Sequence, residues 1–474
     1  MENKEIMHHK NLALIGLGPH AEQTYMEFLN QYQFSPKLIV ELQNKEETVK
    51  RIINEKHFEN IEFLFIPDEQ ANLEELSVET KRELHELLVK NQISHAVIST
   101  EPKAHFAYSK FLIEEGINIL MDKPIVAPID VISKISSAQS IQEQYNQICE
   151  LYHDKSSEMQ FKIQCQRRHH IGYMYIKNLL ERMVKEYNIP ISYIDMYHCD
   201  GMWNMPDEFI SRENHPYKYG YGKMFHSGYH FADLLAWFLE ANSYLKDKQI
   251  NHAKLYGSTY RPKDFLHAFN KKDYENFFHT NRYDEIFENT SIMDNYGEID
   301  YHAMIDFKDH DKLITHCTLD LLQSGFSRRA WLDLPVNTFT GNGRVSHERV
   351  NIQIGPLMNI QVHSYNAYTK KESEKYNSDQ LGGGDHCEIT IYRNSDLIGG
   401  PTLETKTLQQ IAGQLDKTTM GANPRKNSFQ NFLSNKIGDN DILKEKNTIL
   451  LVEKMYENLA SGQDSLDFGY TCKQ

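Results

Sequence analysis

Five short apolar runs near the start of the chain, each followed by an amphipathic stretch, restrict its fold more than any other feature. They are residues 11–16 (NLALIG), 37–42 (KLIVEL), 61–66 (IEFLFI), 95–100 (HAVIST) and 117–121 (INILM). Their apolar character is nearly continuous rather than alternating, as in strands covered on both faces. Between them lie stretches of helical periodicity such as 78–91 and 104–115. Strands alternating with helices are joined by right-handed crossovers, so this region predicts an α/β fold with a doubly wound parallel sheet of the Rossmann type.

The texture changes further on. Residues 130–150 continue the helical pattern, 153–158 are a polar linker candidate, and a strand-like run follows at 159–166. From about residue 191 the strand-like segments alternate apolar and polar positions: 191–199, 252–260, 300–307, 313–322, 352–362 and 387–392. Such alternation predicts a second domain on a large, mostly antiparallel open sheet, with 224–239 as a helix set into it. At one domain per roughly 150 residues, 474 residues hold two or three domains. We divide them as 1–158, a dinucleotide-binding domain, and 159–474, a substrate-binding and oligomerisation domain whose helix at about 441–460 could fold back onto the first. There is no internal repeat, and 263–289 and 368–385 read as polar surface excursions.

A formal charge of −15 disfavours nucleic acid and anionic membrane surfaces as partners. No apolar run approaches the ~20 residues of a spanning helix, and the first residues lack a signal-peptide pattern, so a cytoplasmic protein is expected. Six cysteines without a CxxC pair read as reduced packing residues.

Three constellations carry chemistry. Gly16-Leu17-Gly18-Pro19-His20-Ala21 is a G-x-G-x-x-A between strand and helix. One small residue permits the tight turn, the next lets backbone approach a pyrophosphate, and the third lets helix pack on strand, while the helix N-terminus offers N–H groups to phosphate. An ordinary strand-to-helix turn fits the same letters. Glu41 lies 20 residues beyond Ala21 at the end of the next apolar run. A carboxylate there accepts from ribose hydroxyls and repels the 2'-phosphate of NADP, which favours NAD. Lys45, Lys50 and Arg51 keep NADP from being excluded, and a solvated glutamate is the plainer alternative.

The second constellation is Met121-Asp122-Lys123-Pro124. Ligands of open parallel sheets collect outside the carboxyl ends of strands, so Lys123 would be delivered to that crevice, where it could bond a substrate oxygen. A loop lysine without further role is also compatible. The third runs from Gly220 to Phe238. On a helix His226 and His230 stand at i and i+4 with Asp233 beyond, and Leu234, Leu235, Trp237 and Phe238 anchor the segment. Histidine accepts protons near neutral pH, so His230 could take a hydroxyl proton while hydride leaves the same carbon. The pair lacks the glutamate of HExxH and a third ligand, and no metal is expected; a solvated polar helix face remains open.

In this order the three constellations resemble the glucose-fructose oxidoreductase / inositol dehydrogenase / MocA family of nicotinamide-dependent oxidoreductases. The matching pieces are GLGPHA, VISTEPKAHFAYSKFLIEEGINILMDKP, Gln166-Arg167-Arg168, Cys199-Asp200-Gly201 and the glycine-rich helix start ending in His230 and Asp233, spanning residue 11 to about 240. The resemblance implies that Gly16, Gly18 and Ala21 bind the pyrophosphate, with Pro19 and His20 also at the cofactor, and Glu41 the adenosine ribose. It places Thr100, Glu101, Pro102 and His105 near the nicotinamide. Lys123 would contact both cofactor and substrate, His230 would be the catalytic acid/base with Lys123 and His226 as the other catalytic residues, and Arg168 and His226 would join them on the substrate. It also implies a homo-oligomer, dimer or tetramer, built on the open sheet. Three positions depart from the pattern: Asp122 replaces a glutamate, His226 an aspartate, and Tyr221 a glycine, which would narrow the crevice mouth.

The expected function is therefore NAD(H)-dependent hydride transfer to or from a sugar- or polyol-like alcohol or ketone. His226 motivates one alternative, a catalytically silent dinucleotide sensor; another is a lyase or glycosidase that uses tightly bound NAD transiently.

Overall fold

The computed structural model describes residues 10–473 apart from 73, 214, 335–341, 368–371, 373–384, 413–421 and 437. The chain divides into two compact units. One takes residues through 128 with 140–170 and 418–449, and the other takes 129–139, 171–417 and 450 onwards.

In the first unit β1 (Leu12–Ile15), β2 (Leu38–Leu42), β3 (Glu62–Ile66), β4 (His95–Ile98), β5 (Asn118–Met121) and β6 (Phe161–Ile163) form a six-stranded sheet in the order β3-β2-β1-β4-β5-β6. All its pairings are parallel. Leu12–Ile15 and Ala96–Ile98 are fully buried, which explains why these strands read as unbroken apolar runs. The strand order reverses between β1 and β4, creating a switch point at their carboxyl ends.

The expected boundary at residue 158 is displaced. Phe161 pairs with Ile119, so the run after the polar stretch is the sixth strand of the first sheet and not the beginning of the second domain. The polar stretch is a turn within the unit, held by Lys155 Nζ on the carbonyls of Ile113 and Glu114. Polarity marks exposure to water, which a turn inside a domain shares with a linker. The unit is also completed from far along the chain. Helix Ala422–Leu433 lays Phe429, Phe432 and Leu433 into one apolar cluster with Leu12, Leu14, Tyr25 and Phe28. The segment after it docks through Ile163 N–H on Asn440 O, at 2.8 Å, and Tyr145 Oη on Ile442 O, at 2.9 Å.

The second unit holds β7 (Ile191–Cys199), β8 (His252–Tyr260), β9 (Asp300–Asp309), β10 (Lys312–Leu322), β11 (Ser346–Ile354), β12 (Met358–Asn366), β13 (Asp385–Arg393), β14 (Leu403–Thr407) and β15 (Leu466–Gly469). Their order is β14-β13-β12-β11-β7-β10-β9-β8-β15, and only β7 and β10 pair in parallel. Along β7, Ile194, Met196 and His198 are buried while Tyr193, Asp195 and Tyr197 are half-exposed, the alternation of a sheet packed on one face. The run expected as one strand at 352–362 is a hairpin of β11 and β12, because its apolar positions continue through the turn. Residues 224–239 begin with a π turn, Met224–Gly228, and continue as helix Tyr229–Leu239, every residue of which is buried.

The excursion at 263–289 forms three short helices, Pro262–Ala268, Lys271–Phe278 and Asp284–Glu288. It has its own apolar cluster, in which Tyr274 and Tyr283 pack with Met205 and the partly buried Trp203. Of the excursion at 368–385, all but 372 and 385 lie outside the described residues. No described helix is long and apolar enough to cross a membrane.

Candidate active site

In the first unit the turn after β1 meets the end of β4. Gly16 has φ +89°, and a Cβ there would stand 2.6 Å from Ser99 O and 2.7 Å from Thr100 N, so only glycine fits the switch point. Gly18 differs: a Cβ on it would meet nothing within 4 Å. It is the N-cap of a helix that starts at Pro19, where a missing N–H costs no hydrogen bond. Gly18 therefore leaves open space at a helix N-terminus, which is what close approach of a pyrophosphate requires. Ala21 is fully buried, as its packing role demands.

Glu41 ties this turn to β2. Its Oε2 accepts the Leu17 N–H at 2.7 Å and its Oε1 accepts the Leu42 N–H at 2.8 Å. Each carboxylate oxygen keeps a second lone pair for a hydroxyl donor. These residues fit an adenosine diphosphate end of a dinucleotide.

At the end of β5, Asp122 joins three elements. Tyr25 Oη donates to its Oδ1 at 2.6 Å and Ser99 Oγ to its Oδ2 at 2.5 Å, while His20 Nε2 lies 3.6 Å away. Burial pushes its carboxyl up, but the charge and hydrogen bond of His20 and the bonds from Ser99 and Tyr25 outweigh burial and hold it well below the usual carboxylate range. Asp122 thus locks the glycine-turn helix to β4 and β5. The sequence marked this residue only as a shortened glutamate.

Lys123 follows immediately, half-buried, before a cis peptide to Pro124. Thr100, Glu101 and Pro102 form the turn into helix His105–Glu114 and are all half-buried. His105 does not reach the surface expected of a residue near nicotinamide. It is fully buried, and its Nδ1 lies 2.7 Å from Pro124 O. Burial lowers its proton affinity, so a neutral ring donating to that carbonyl is the stable form, and His105 braces the turn that carries Lys123. Arg168 is also placed differently from expectation. Its side chain is 1% exposed, pairs with Glu445 at 3.0 Å and donates to Asp439 O at 2.7 Å, which fastens the returning segment to the first unit. A guanidinium so engaged inside the unit is a structural cross-link, not an open substrate contact.

In the second unit His226 sits in the π turn and His230 on the first turn of the following helix, both buried. Gly228 N–H bonds Lys223 O, five residues back, and this extra residue per turn shifts His226 from the α-helical i, i+4 position that the spacing predicts. The rings of His215, Tyr217 and Tyr221 lie 4.6, 5.8 and 6.2 Å from that of His226. Tyr221 is buried against Phe225 rather than standing at a crevice mouth.

Beneath these histidines is a charged cluster that the sequence did not reveal. Lys223, fully buried, donates to Asp200 at 2.7 Å, Ser227 Oγ at 2.8 Å and His198 Nδ1 at 2.9 Å. Asp200 also accepts Ser227 Oγ at 2.6 Å and an Arg344 N–H through its other oxygen. Burial opposes ionisation of Asp200, but Lys223, Arg344 and His198 hold its carboxyl well below the usual range. Close by, Glu298 Oε1 accepts Met224 N–H at 2.8 Å and Tyr456 Oη at 3.0 Å, while its Oε2 is buried without a hydrogen-bond partner among the described residues. Burial raises its carboxyl to about 7. A spacing test could not find these residues, because they come from separate elements.

Residues 10–149 match the GFO_IDH_MocA family, described as an oxidoreductase family with an NAD-binding Rossmann fold. A search of curated proteins finds no match. Among solved structures the chain is similar to an oxidoreductase from Agrobacterium radiobacter in complex with NAD+, L-tartaric acid and magnesium, with 13% identity, a TM-score of 0.56, and coverage of 97% of this chain and 98% of that one. It is similar to an inositol dehydrogenase homolog from Azotobacter vinelandii complexed with NADH and myo-inositol, with 10% identity, a TM-score of 0.56 and 97% of each chain covered. It is also similar to an aldose-aldose oxidoreductase from Caulobacter crescentus complexed with glycerol, with 11% identity, a TM-score of 0.53, and 97% and 99% covered. At such identities the likeness is one of fold.

Proposed function

We propose that this chain, whose residues 10–149 match an oxidoreductase family with an NAD-binding Rossmann fold, moves a hydride to or from a carbon bearing oxygen on a sugar- or polyol-like molecule. The open space at Gly18, beside a glycine turn packed on β4 and a carboxylate at the end of β2, is the observation that carries this reading. Bound NAD would supply the hydride acceptor or donor. Gly16, Gly18, Pro19, His20 and Ala21 would hold its pyrophosphate and Glu41 its ribose, with Thr100, Glu101 and Pro102 along the nicotinamide side.

The chain's own groups then manage the proton and the substrate oxygen. Lys123, braced through Pro124 by His105, donates a hydrogen bond that stabilises charge developing on that oxygen. His230 takes the hydroxyl proton during oxidation and returns it during reduction. His226 assists as a substrate contact. Polyols in two fold relatives, myo-inositol and glycerol, support the substrate class. A cytoplasmic homo-oligomer assembled on the half-exposed face of the nine-stranded sheet belongs to the same proposal, and sedimentation of the purified protein tests it.

The decisive experiment follows NADH absorbance across a panel of polyols and sugars at neutral pH. Wild type turns over at least one of them, and Lys123→Ala and His230→Ala each lose about 10²- to 10⁴-fold in kcat. Full turnover by either variant would remove that residue from the mechanism, and absence of dinucleotide binding would remove the proposal.

A further inference from the structure

We propose that Glu298 is a positioning residue for His226 and His230, holding the start of their segment as a neutral acid; the inference rests on the dehydrogenase reading above. The contact is made twice, by backbone and by side chain. Glu298 O accepts the Lys223 N–H at 2.9 Å, and Glu298 Oε1 accepts the Met224 N–H at 2.8 Å. Gly222 and Gly297 make this approach possible: a Cβ on the first would stand 1.9 Å from Glu298 O, and one on the second 1.9 Å from Tyr221 O. Met224 opens the π turn, and the backbone bonds run on from there. His226 N–H meets Gly222 O at 2.9 Å and Gly228 N–H meets Lys223 O at 2.8 Å, before helix Tyr229–Leu239 carries His230. A shift of residues 222–224 is therefore passed to both imidazoles through continuous backbone.

The surroundings favour the uncharged carboxyl. Glu298 is fully buried, and its Oε2 has no hydrogen-bond partner among the described residues. A buried carboxylate needs a cation or several donors. Two cations of the neighbourhood are committed elsewhere: Lys223 donates to Asp200, Ser227 and His198, and Arg261 to the carbonyls of Asp294 and Tyr296. Of the other ionisable groups, Tyr456 Oη donates to Oε1 at 3.0 Å, Tyr301 Oη is buried without a partner among the described residues, and Asp300 accepts from Gln323 and Ser324. Burial accordingly raises the Glu298 carboxyl to about 7, against the opposing bonds from Met224 and Tyr456 and the charge of Arg261. The proton is held below that pH and lost above it, and the bare charge left under the turn then displaces the segment.

The test reads the full-length protein by two routes. Hydrogen exchange, corrected for the intrinsic pH dependence of the amides, follows residues 222–230 with no substrate present. NADH formation from myo-inositol, D-glucitol and D-glucose gives kcat. In wild type the protection of the segment is expected to fall about tenfold from about pH 6 to 8, as the protonated fraction does. Glu298→Gln, whose amide oxygen can accept the Met224 and Tyr456 bonds, is expected to keep its protection, and the wild-type-to-variant ratio of kcat to fall about tenfold over the same range. Tyr456→Phe removes a donor that favours the charged form, so both transitions are expected to move to higher pH; this shift decides the matter should Glu298→Gln fail to fold. The same pH dependence in wild type and Glu298→Gln, or in wild type and Tyr456→Phe, would overturn the inference and leave the dehydrogenase reading standing. A protein that binds no dinucleotide loses the dehydrogenase reading, and hydrogen exchange alone then decides whether Glu298 holds the segment.

Discussion

Two glycine-rich turns open two helices in this protein, and they use glycine in opposite ways. In the first unit Gly18 keeps space empty, with nothing within 4 Å of a would-be Cβ. In the second unit Gly222 fills space: a Cβ there would fall 1.9 Å from Glu298 O, because the backbone of residues 222–223 packs directly on residue 298. Both helices carry a π turn near their start, Glu22–Met26 and Met224–Gly228. The first is stabilised by one ionised carboxylate, Asp122, fed by neutral hydroxyls and a partly exposed histidine. The second rests on a buried ammonium and a buried carboxylate. A glycine pattern therefore identifies a close approach, and only the surroundings tell whether the approaching group is a ligand or the chain itself.

Substitutions can break this contrast. Gly222→Ala should have the largest effect, destabilising by more than about 4 kcal/mol, since a backbone carbonyl cannot move aside as a side chain can; urea denaturation, or failure to recover folded protein, reads it. Asp200→Asn should cost about 3 to 5 kcal/mol by leaving Lys223 charged and uncompensated in the interior, and a double variant with Lys223→Met should recover much of that loss in the same assay.

Glu298→Gln acts through pH. The Glu298 carboxyl is raised from 4.5 to about 7, so the folded state binds this proton more tightly than the unfolded chain does. The resulting stabilisation is complete below pH 4.5 and is lost as pH rises through about 7. The variant should remove roughly 3 kcal/mol of pH dependence across that window, measured as the difference between wild-type and variant unfolding free energies at each pH. The smallest effect belongs to Gly18→Ala, which should leave Tm nearly unchanged and weaken NAD binding by roughly ten- to hundredfold, about 1.4 to 2.8 kcal/mol, measured by calorimetry. Equal losses of stability in Gly18→Ala and Gly222→Ala would erase the distinction between the two turns.

The parallel strands were legible because burial on both faces writes itself into sequence as uninterrupted apolar residues. β7 and β8 were legible through their alternation, and their ends coincide with those read from sequence. The edge strands β14 (LETKT) and β15 (LDFG) were not, since short, mostly polar strands lack either signature. Helix Ala422–Leu433 left no sign of which unit it serves, because an apolar stripe specifies a partner's character and not its identity. At the site, Gly16, Gly18 and Glu41 were readable from local geometry. Arg168 and His105 were expected at ligands and instead brace the chain, as type and spacing cannot distinguish a side chain that touches substrate from one that holds such a side chain. Lys223, Asp200 and Arg344 were invisible as a set, because a helix start, the end of β7 and the residues before β11 meet only in three dimensions.

The return of residues 418–449 to the first unit has a consequence for biosynthesis. When the six parallel strands have left the ribosome, the helix contributing Phe429, Phe432 and Leu433 has yet to be translated. The aromatic side chains of Tyr25 and Phe28 therefore face water, or a chaperone, during most of synthesis. The nucleotide-binding half is the first to emerge and among the last to be finished.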